Sequence, residues 1–366
     1  MSRIVAVYRV RAAAKDIEAR AKAIAVEQSV EMPLEAVVHP HVMSDIVGRV
    51  EAISEAGDGV FEVRVGLAAA TMGPEAGQVM NMVFGNTSMH DDVTLEDVEF
   101  PPGFLGAFGG PRHGIEGLRA LCGAGSRALT CTALKPQGQS VADLAALAGR
   151  MAEGGLDYIK DDHGIADQTY SPYAKRVPAI ARAVEAVRAS TGVRTQYVPS
   201  VTGDLDQMRA QIRLAREEGV KAVMIPPMVV GMPSFHAAVR AAPEMAFFGH
   251  PSFTGGARVA PPLMFGKLFR IFGADASIFV NHGGRFAWPP ALCARVAAAA
   301  RAPLDGLKAV VPVPAGGMTP ERTPEMLDFY GRDCMLLIGG ALLMARTRLA
   351  AASAEFARLV RDHVYR

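Results

Sequence analysis

The sequence has little that would direct it to nucleic acid, a membrane or an oxidising compartment. Its 366 residues contain 38 Lys and Arg against 37 Asp and Glu, so no charge excess favours nucleic acid or anionic lipid. The four cysteines are scattered without CxxC spacing, which indicates neither a zinc site nor a disulfide framework. No continuous apolar run of about 18 residues occurs, and charged residues interrupt the apolar stretch at the N-terminus. We therefore expect a cytoplasmic protein with no nucleic-acid or membrane partner.

The length predicts two domains, because single cores rarely grow beyond about 250 to 300 residues. Residues 1–122 contain two alternating strand patterns, Ile4–Val10 and Val60–Leu67, around a helical stretch, Ala13–Glu27. This pattern predicts a small N-terminal α+β domain. Pro and Gly residues then crowd the passage into residues 123–366.

Residues 123–366 alternate short apolar runs with helical segments, which is typical of an α/β protein with a parallel sheet. Eight such runs favour a closed (β/α)8 TIM barrel, and an open doubly wound sheet is the alternative. The predicted strands are Ala128–Leu134, Leu156–Asp162, Arg194–Ser200, Lys221–Pro227, Glu244–His250, Ala276–His282, Leu307–Pro314 and Cys334–Gly340.

The active site of a (β/α)8 barrel lies at the carboxyl ends of its strands, and these ends are polar here. The second predicted strand ends in Lys160-Asp161-Asp162-His163. Because side chains alternate along a strand, Lys160 and Asp162 should point to one side and Asp161 to the other. A lysine that has reacted with CO2 becomes an anionic carbamate, an oxygen donor of the kind that Mg²⁺ prefers. A Lys–Asp ion pair is the simpler interpretation of the same spacing.

Other predicted strand ends add candidate groups. Lys135 ends the first strand, where a lysine beside another cation can act as an acid or base, although it would also suit a surface turn. His250 and His282 end the fifth and sixth strands, as proton-transfer groups or structural residues, and Arg285 follows as a possible anion clamp.

Glycine pairs end the last two predicted strands. Gly316 and Gly317 follow the seventh strand, and Gly339 and Gly340 end the eighth. Backbone N–H groups of such turns can approach an anion closely, and the loops after strands 7 and 8 often bind phosphate in this fold. A phosphorylated substrate is therefore expected. No GxGxxG follows a strand and no GxxxxGK[ST] occurs, so a nucleotide cofactor is not indicated.

Several of these segments together resemble the large subunit of RuBisCO. The run from Gly154 to Asp162 (GGLDYIKDD) is similar to the segment around its carbamylated, Mg²⁺-binding lysine. Leu134-Lys135-Pro136 resembles the end of its first barrel strand, and residues 108–115 (FGGPRHGI) resemble its entry into the barrel. The resemblance implies Lys160, Asp162 and His163 as Mg²⁺ ligands, and Lys135, Lys160 and His250 as catalytic residues.

The resemblance extends to both ends of the chain. Glu27 and Asn86 are similar to N-terminal-domain residues that complete the partner subunit's active site, which implies a homodimer. The four glycines resemble the phosphate-binding turns. With His282 and Arg285, Glu27 and Asn86 form the expected substrate-binding set.

Departures from the RuBisCO pattern narrow the expected function. The loop at 281–290 contains no lysine, although carboxylation requires one there. Gln137, His163 and Pro251 replace a lysine, a glutamate and an arginine of the pattern, which disfavours a bisphosphate substrate. The resemblance thus implies a RuBisCO-like enzyme that enolises a phosphorylated ketose without fixing CO2.

The known activities of RuBisCO-like proteins supply three candidate reactions, which we place in order. First comes isomerisation of 5-methylthioribulose 1-phosphate, followed by decarboxylation of a 3-oxo-sugar-acid phosphate of the 3-oxo-isoapionate 4-phosphate type. Enolisation of a diketo-methylthiopentyl phosphate is third, because that branch has a lysine at the position of Asn86. A catalytically silent sugar-phosphate-binding protein is the alternative from another class.

Overall fold

The structure, a computed structural model, describes residues 2–365 and divides into two compact units. Within the described residues, the first unit comprises 2–109 and 253–264, and the second comprises 110–252 and 265–365. The predicted α+β domain and barrel correspond broadly to these units.

The boundary lies earlier than residue 122, because the helix Gly114–Cys122 belongs with the barrel. Leu118 and Cys122 of this helix pack in the barrel core, and the hydroxyl of Tyr158 donates to the carbonyl of Leu118 at 2.7 Å. Segment 253–264 joins the first unit through the backbone of Leu95, which bonds with Arg258 and Ala260 at 2.9 Å each. The division at 122 and 123 therefore requires both of these corrections.

The first unit is a four-stranded antiparallel sheet with two helices. Its strands stand in the order β2-β3-β1-β4. The bounds are β1 Arg3–Arg11, α1 Ile17–Glu27, β2 Arg49–Gly57, β3 Val60–Ala68, α2 Ala76–Phe84 and β4 Val93–Glu99. The sequence pattern identified β1, β3 and α1 but missed β2, α2 and β4. The residues of β2 are almost all exposed on both faces.

The second unit contains eight parallel strands within the described residues, and each corresponds to a predicted strand. The strands are β5 Leu129–Leu134, β6 Tyr158–Asp161, β7 Gln196–Val198, β8 Ala222–Ile225, β9 Ala246–Gly249, β10 Ala276–Val280, β11 Val311–Ala315 and β12 Met335–Leu337. They form two sheets, β12-β5-β6-β7 and β11-β10-β9-β8. A bridge between Ser200 and Met224 joins β7 to β8, and β11 packs beside β12, so the strands close into the predicted barrel.

Helices precede, separate and follow the barrel strands. They are α3 Gly114–Cys122, α4 Val141–Glu153, α5 Tyr173–Thr191, α6 Leu205–Glu217, α7 Pro227–Val230, α8 Met232–Ala241, α9 Phe269–Ile271, α10 Pro290–Arg301, α11 Thr323–Tyr330, α12 Gly340–Leu343 and α13 Leu349–Arg361. The sequence marks some starts directly: Ser140 caps α4, and Asp204 with Gln207 forms a capping box on α6. Across the described residues, no helix combines the length and apolarity needed to cross a bilayer.

Alternate residues of the eight strands fill the barrel interior. This core contains Leu129, Cys131, Tyr158, Val198, Ala222, Met224, Ala246, Phe248, Ala276, Ile278, Val311, Val313, Met335 and Leu337. The spacing of two along each strand fixes which later residues face inward at the carboxyl ends. The same spacing, continued past the last core residues of β5, β6 and β9, reaches Lys135, Lys160, Asp162 and His250, which therefore face inward.

Candidate active site

Lys135 and Asp162 form a close ion pair at the carboxyl ends of β5 and β6. The Nζ atom of Lys135 lies 2.5 Å from Oδ1 of Asp162. These strands are paired in parallel register, with Leu134 opposite Asp161, so the residue after each strand end meets its neighbour. The structure thus brings together two side chains that the sequence placed on neighbouring strands.

Lys160 lies deeper in the barrel than Lys135. Its side chain is almost fully buried, and Nζ donates to the carbonyl oxygen of Asp161 at 2.8 Å. Burial lowers the pKa of the Lys160 ammonium, and the positive charge of Lys135 adds to this shift, while the carboxylate of Asp162 opposes it. A lysine in this environment loses its proton more easily than a surface lysine, as both carbamate formation and general-base chemistry require.

The carboxylate of Asp162 is held ionised by its neighbours. Burial alone would raise its pKa, but hydrogen bonds with His163 and Lys135 outweigh that effect and leave the pKa well below its ordinary value. Nδ1 of His163 lies 3.4 Å from the same Oδ1 atom. The charged form of Asp162 is therefore favoured at the mouth of the barrel.

His250 lies against this cluster, with its ring stacked on that of His163 at 4.7 Å between centroids. Burial, together with the positive charge of Lys160, lowers the pKa of His250 well below its ordinary value, so the ring is neutral near pH 7. The backbone N–H of Ser252 donates to Nδ1 at 3.2 Å. Since a backbone N–H can only donate, Nδ1 is an acceptor, and the ring proton is assigned to Nε2.

Asp161 points away from the barrel interior, as the alternation predicted. Its carboxylate pairs with the buried guanidinium of Arg176 at 3.2 Å and accepts from the hydroxyl of Tyr197 at 2.9 Å and from the N–H of Ser200 at 3.1 Å. These contacts anchor the backbone between Lys160 and Asp162. The sequence reasoning missed the roles of Arg176 and Tyr197, because nothing near them in the chain marks the pairing.

Of the glycine pairs after β11 and β12, Gly339 lies beside Lys135, and Gly316 and Gly317 lie beside the loop after β10. A Cβ atom on Gly339 would lie 3.7 Å from Cε of Lys135. Gly316 and Gly317 have φ angles of 92° and 83°, a backbone conformation that residues other than glycine rarely adopt. Gly340 has open space where a Cβ would be.

The remaining predicted residues contact neighbours within their own units. In the first unit, Nδ2 of Asn86 donates to Oε1 of Glu27 at 2.9 Å, so the sequence-predicted pair is in contact. In the second unit, His282 is buried against Phe329, and the exposed Arg285 lies over the ring of Phe286.

The donor set fits a Mg²⁺ ion only if Lys160 is carbamylated. Among residues 2–365, no three His, Cys, Asp or Glu side chains are grouped so that they could hold a metal. Asp162 and His163 supply two adjacent donors, and a carbamate on the buried Lys160 would add the oxygen that is missing.

Comparison with known proteins gives the family. The model of the ribulose bisphosphate carboxylase large chain, catalytic domain, matches residues 114–275. The 5-methylthioribulose-1-phosphate isomerase of Rhodospirillum rubrum is 56% identical over 97% of this chain and 95% of its own length. The ribulose bisphosphate carboxylase-like protein 1 of Rhodopseudomonas palustris is 53% identical over 99% of this chain and 98% of its own length.

A solved structure extends the likeness to the whole fold. The crystal structure of a RuBisCO-like protein from Rhodopseudomonas palustris superimposes with a TM-score of 0.94, at 49% identity, over 100% of this chain and 99% of that chain. Identity and coverage of this extent leave no large segment outside the likeness. The chain therefore belongs to the RuBisCO-like proteins of the RuBisCO large-subunit superfamily.

Proposed function

We propose that this protein isomerises 5-methylthioribulose 1-phosphate and does not fix CO2. The observation that carries the proposal is the 56% identity to an isomerase of that name over 97% of the chain. The Lys135–Asp162 pair beside the buried Lys160 supports it, because enolisation needs a proton acceptor and a proton donor on one substrate. The loop at 281–290 lacks a lysine, as the proposal requires.

In the proposed mechanism, Lys160, as a carbamate or as a desolvated amine, removes the proton from the carbon next to the substrate carbonyl. The hydroxyl proton of that carbon passes to the former carbonyl oxygen, and Lys135 returns a proton to the former carbonyl carbon, so the carbonyl moves by one position. His250, neutral with its proton on Nε2, donates a hydrogen bond to a substrate oxygen. Gly316, Gly317, Gly339 and Gly340 hold the phosphate through their N–H groups.

A metal completes this proposal. Mg²⁺ held by carbamylated Lys160, Asp162 and His163 would supply positive charge beside the oxygen that becomes negative during enolisation. The ion pair between Lys135 and Asp162 prepares the site, because it keeps the carboxylate ionised.

The test follows proton exchange and net conversion separately. Proton NMR in D2O should show deuterium entering 5-methylthioribulose 1-phosphate next to its carbonyl, and phosphorus NMR should show a new phosphate ester. EDTA should stop both reactions and Mg²⁺ should restore them. Release of CO2 from 3-oxo-isoapionate 4-phosphate, or turnover of a diketo-methylthiopentyl phosphate alone, would replace the isomerase assignment. Absence of exchange in every candidate would favour a silent binding protein.

We also propose a homodimer in which Glu27 and Asn86 complete the partner's active site. Their mutual hydrogen bond supports this, because it holds the Glu27 carboxylate in a fixed orientation. Light scattering at assay concentrations tests the proposal, and a fully active monomer would contradict it.

A further inference from the structure

The loop after β10, residues 281–286, closes onto the glycine turn after β11. A Cβ atom on Gly284 would lie 1.8 Å from the carbonyl oxygen of Gly316, and one on Gly317 would lie 2.7 Å from Cα of Gly284. The two backbones therefore touch with no side chain between them. A displacement of loop 281–286 would therefore press on Gly316 and Gly317.

Arg322 holds this loop from its other side. Nη1 donates to the carbonyl oxygens of His282 at 3.2 Å and Gly283 at 3.3 Å. Glu325 orients the same guanidinium through contacts of 3.0 and 3.1 Å. Arg322 immediately precedes α11, so the loop is fastened to the start of a helix.

Side chains of α11 fix the first two loop residues as well. The hydroxyl of Tyr330 donates to Oδ1 of Asn281 at 2.6 Å, and Nδ2 of Asn281 lies 3.2 Å from the sulfur of Met326. The ring of His282 contacts that of Phe329, with 4.6 Å between centroids. Loop 281–286 is thus held between α11 and the glycine turn.

We propose that Arg322 is a positioning residue for the substrate phosphate. It acts through loop 281–286 on the N–H groups of Gly316 and Gly317 and does not itself touch the ligand. The inference rests on the proposed function, because it takes this glycine turn as the phosphate anchor. The sequence hides this role, since Arg322 and Glu325 have the spacing of an ordinary surface pair on a helix.

The experiment compares Arg322→Ala with wild type in the complete protein. Calorimetric titration with inorganic phosphate gives a Kd, and initial rates with the ketose phosphate give KM and kcat. Both Kd and KM should rise about tenfold, because a displaced anchor weakens binding, while kcat stays within about twofold. Arg209→Ala is the matched control, because Arg209 also pairs with a carboxylate three residues away but on the exposed face of α6. It should change none of these values.

Two further variants grade the effect. Gly284→Ala should weaken phosphate binding more than Arg322→Ala, because its Cβ would collide with Gly316. Gly149→Ala is the control, since it lies in α4 with open space around the added carbon. Glu325→Gln should weaken binding less than Arg322→Ala, because it retains the guanidinium.

The outcomes separate this inference from the proposed function. If wild type turns over the ketose phosphate and Arg322→Ala matches its KM and phosphate Kd, the positioning role is wrong while the isomerase assignment stands. A fall in kcat and melting temperature with unchanged KM would also overturn the positioning role. If phosphate binding depends on Arg322 but no sugar phosphate is turned over, the proposed activity is wrong and the positioning role stands.

Discussion

The two ends of the barrel both bury carboxylates, but they hold them differently. At the amino end, Asp157 accepts from both terminal nitrogens of Arg127 at 2.7 Å and from the N–H of Thr130 at 2.8 Å. Asp275 accepts from three backbone N–H groups at 2.6 to 3.0 Å. At the carboxyl end, Asp162 is held instead by the side chains of Lys135 and His163. Asp161, on the other face of the same strand, is anchored by Arg176 and the N–H of Ser200, as the amino-end carboxylates are.

This difference separates structural charges from chemical ones. Backbone donors and a bidentate arginine leave the carboxylates of the amino end no freedom to bind anything else. A lysine can leave its partner and take part in proton transfer. We therefore expect substitutions of the amino-end carboxylates to affect stability and those of Asp162, Lys135 and Lys160 to affect chemistry.

The largest expected effect is at the carboxyl end. Lys160→Ala and Asp162→Ala should each slow deuterium exchange by about 10² or more, since each removes a positioned group from the reacting centre. Melting temperatures should stay close to that of wild type. Lys135→Ala should leave exchange measurable while blocking net conversion. Near-normal exchange in Lys160→Ala would require another base.

At the amino end, Asp157→Ala should cost stability instead. The substitution leaves Arg127 and the N–H of Thr130 without their acceptor, and the loss should be about 3 kcal/mol of unfolding free energy. Urea denaturation measures this loss, and exchange per folded molecule should match wild type. A fall in exchange without a fall in stability would break the comparison between the two ends.

Acidification should weaken the protein through His282. Burial, with a contribution from Arg322, lowers the pKa of this imidazole. The unfolded chain takes up the proton near pH 6.5, so the stability that the neutral ring contributes is complete above that pH and is lost as the pH falls towards the folded-state pKa. Titration of this one imidazole can change the free energy of unfolding by at most about 1.4 kcal/mol per pH unit.

His282→Gln isolates that contribution. Unfolding free energies at pH 7.5, 6.5 and 5.5 should depend less on pH in the variant than in wild type. Equal slopes in the two proteins would show that His282 does not titrate differently on folding.

The smallest expected loss of stability is at Asp204, a polar residue beside the carboxyl end of the barrel whose role is structural. Asp204 caps α6 by accepting from the N–H groups of Asp206 and Gln207 at 3.0 and 2.9 Å. Asp204→Ala should cost about 1 kcal/mol of stability and leave exchange unchanged. Asp204→Ser, which retains a capping oxygen, should recover most of the loss in thermal denaturation.

The barrel could be predicted from sequence because its strands are buried on both faces and therefore read as apolar runs. Strand β2 could not be predicted in this way. Its residues, Arg49–Gly57, pair only with β3 and are exposed, so they do not form an apolar run. Alternation also predicted that Asp161 and Asp162 would separate. The hydrogen bonds from Arg322 to loop 281–286 depend on how this loop approaches the start of α11, and no local sequence pattern encodes such an approach.

Helix α3 links the earliest part of the barrel to its latest parts. Asp275 caps its first N–H groups across 161 residues of sequence, and Arg119 reaches Asp333 across 214. Strand β5 pairs with β12, so the cylinder cannot close until residue 337 is available. Contacts this distant slow folding, because a long loop must be ordered before they form. During synthesis the barrel therefore remains an open sheet with unpaired edges until its last strand emerges, and a chain lacking that strand would expose both edges to aggregation.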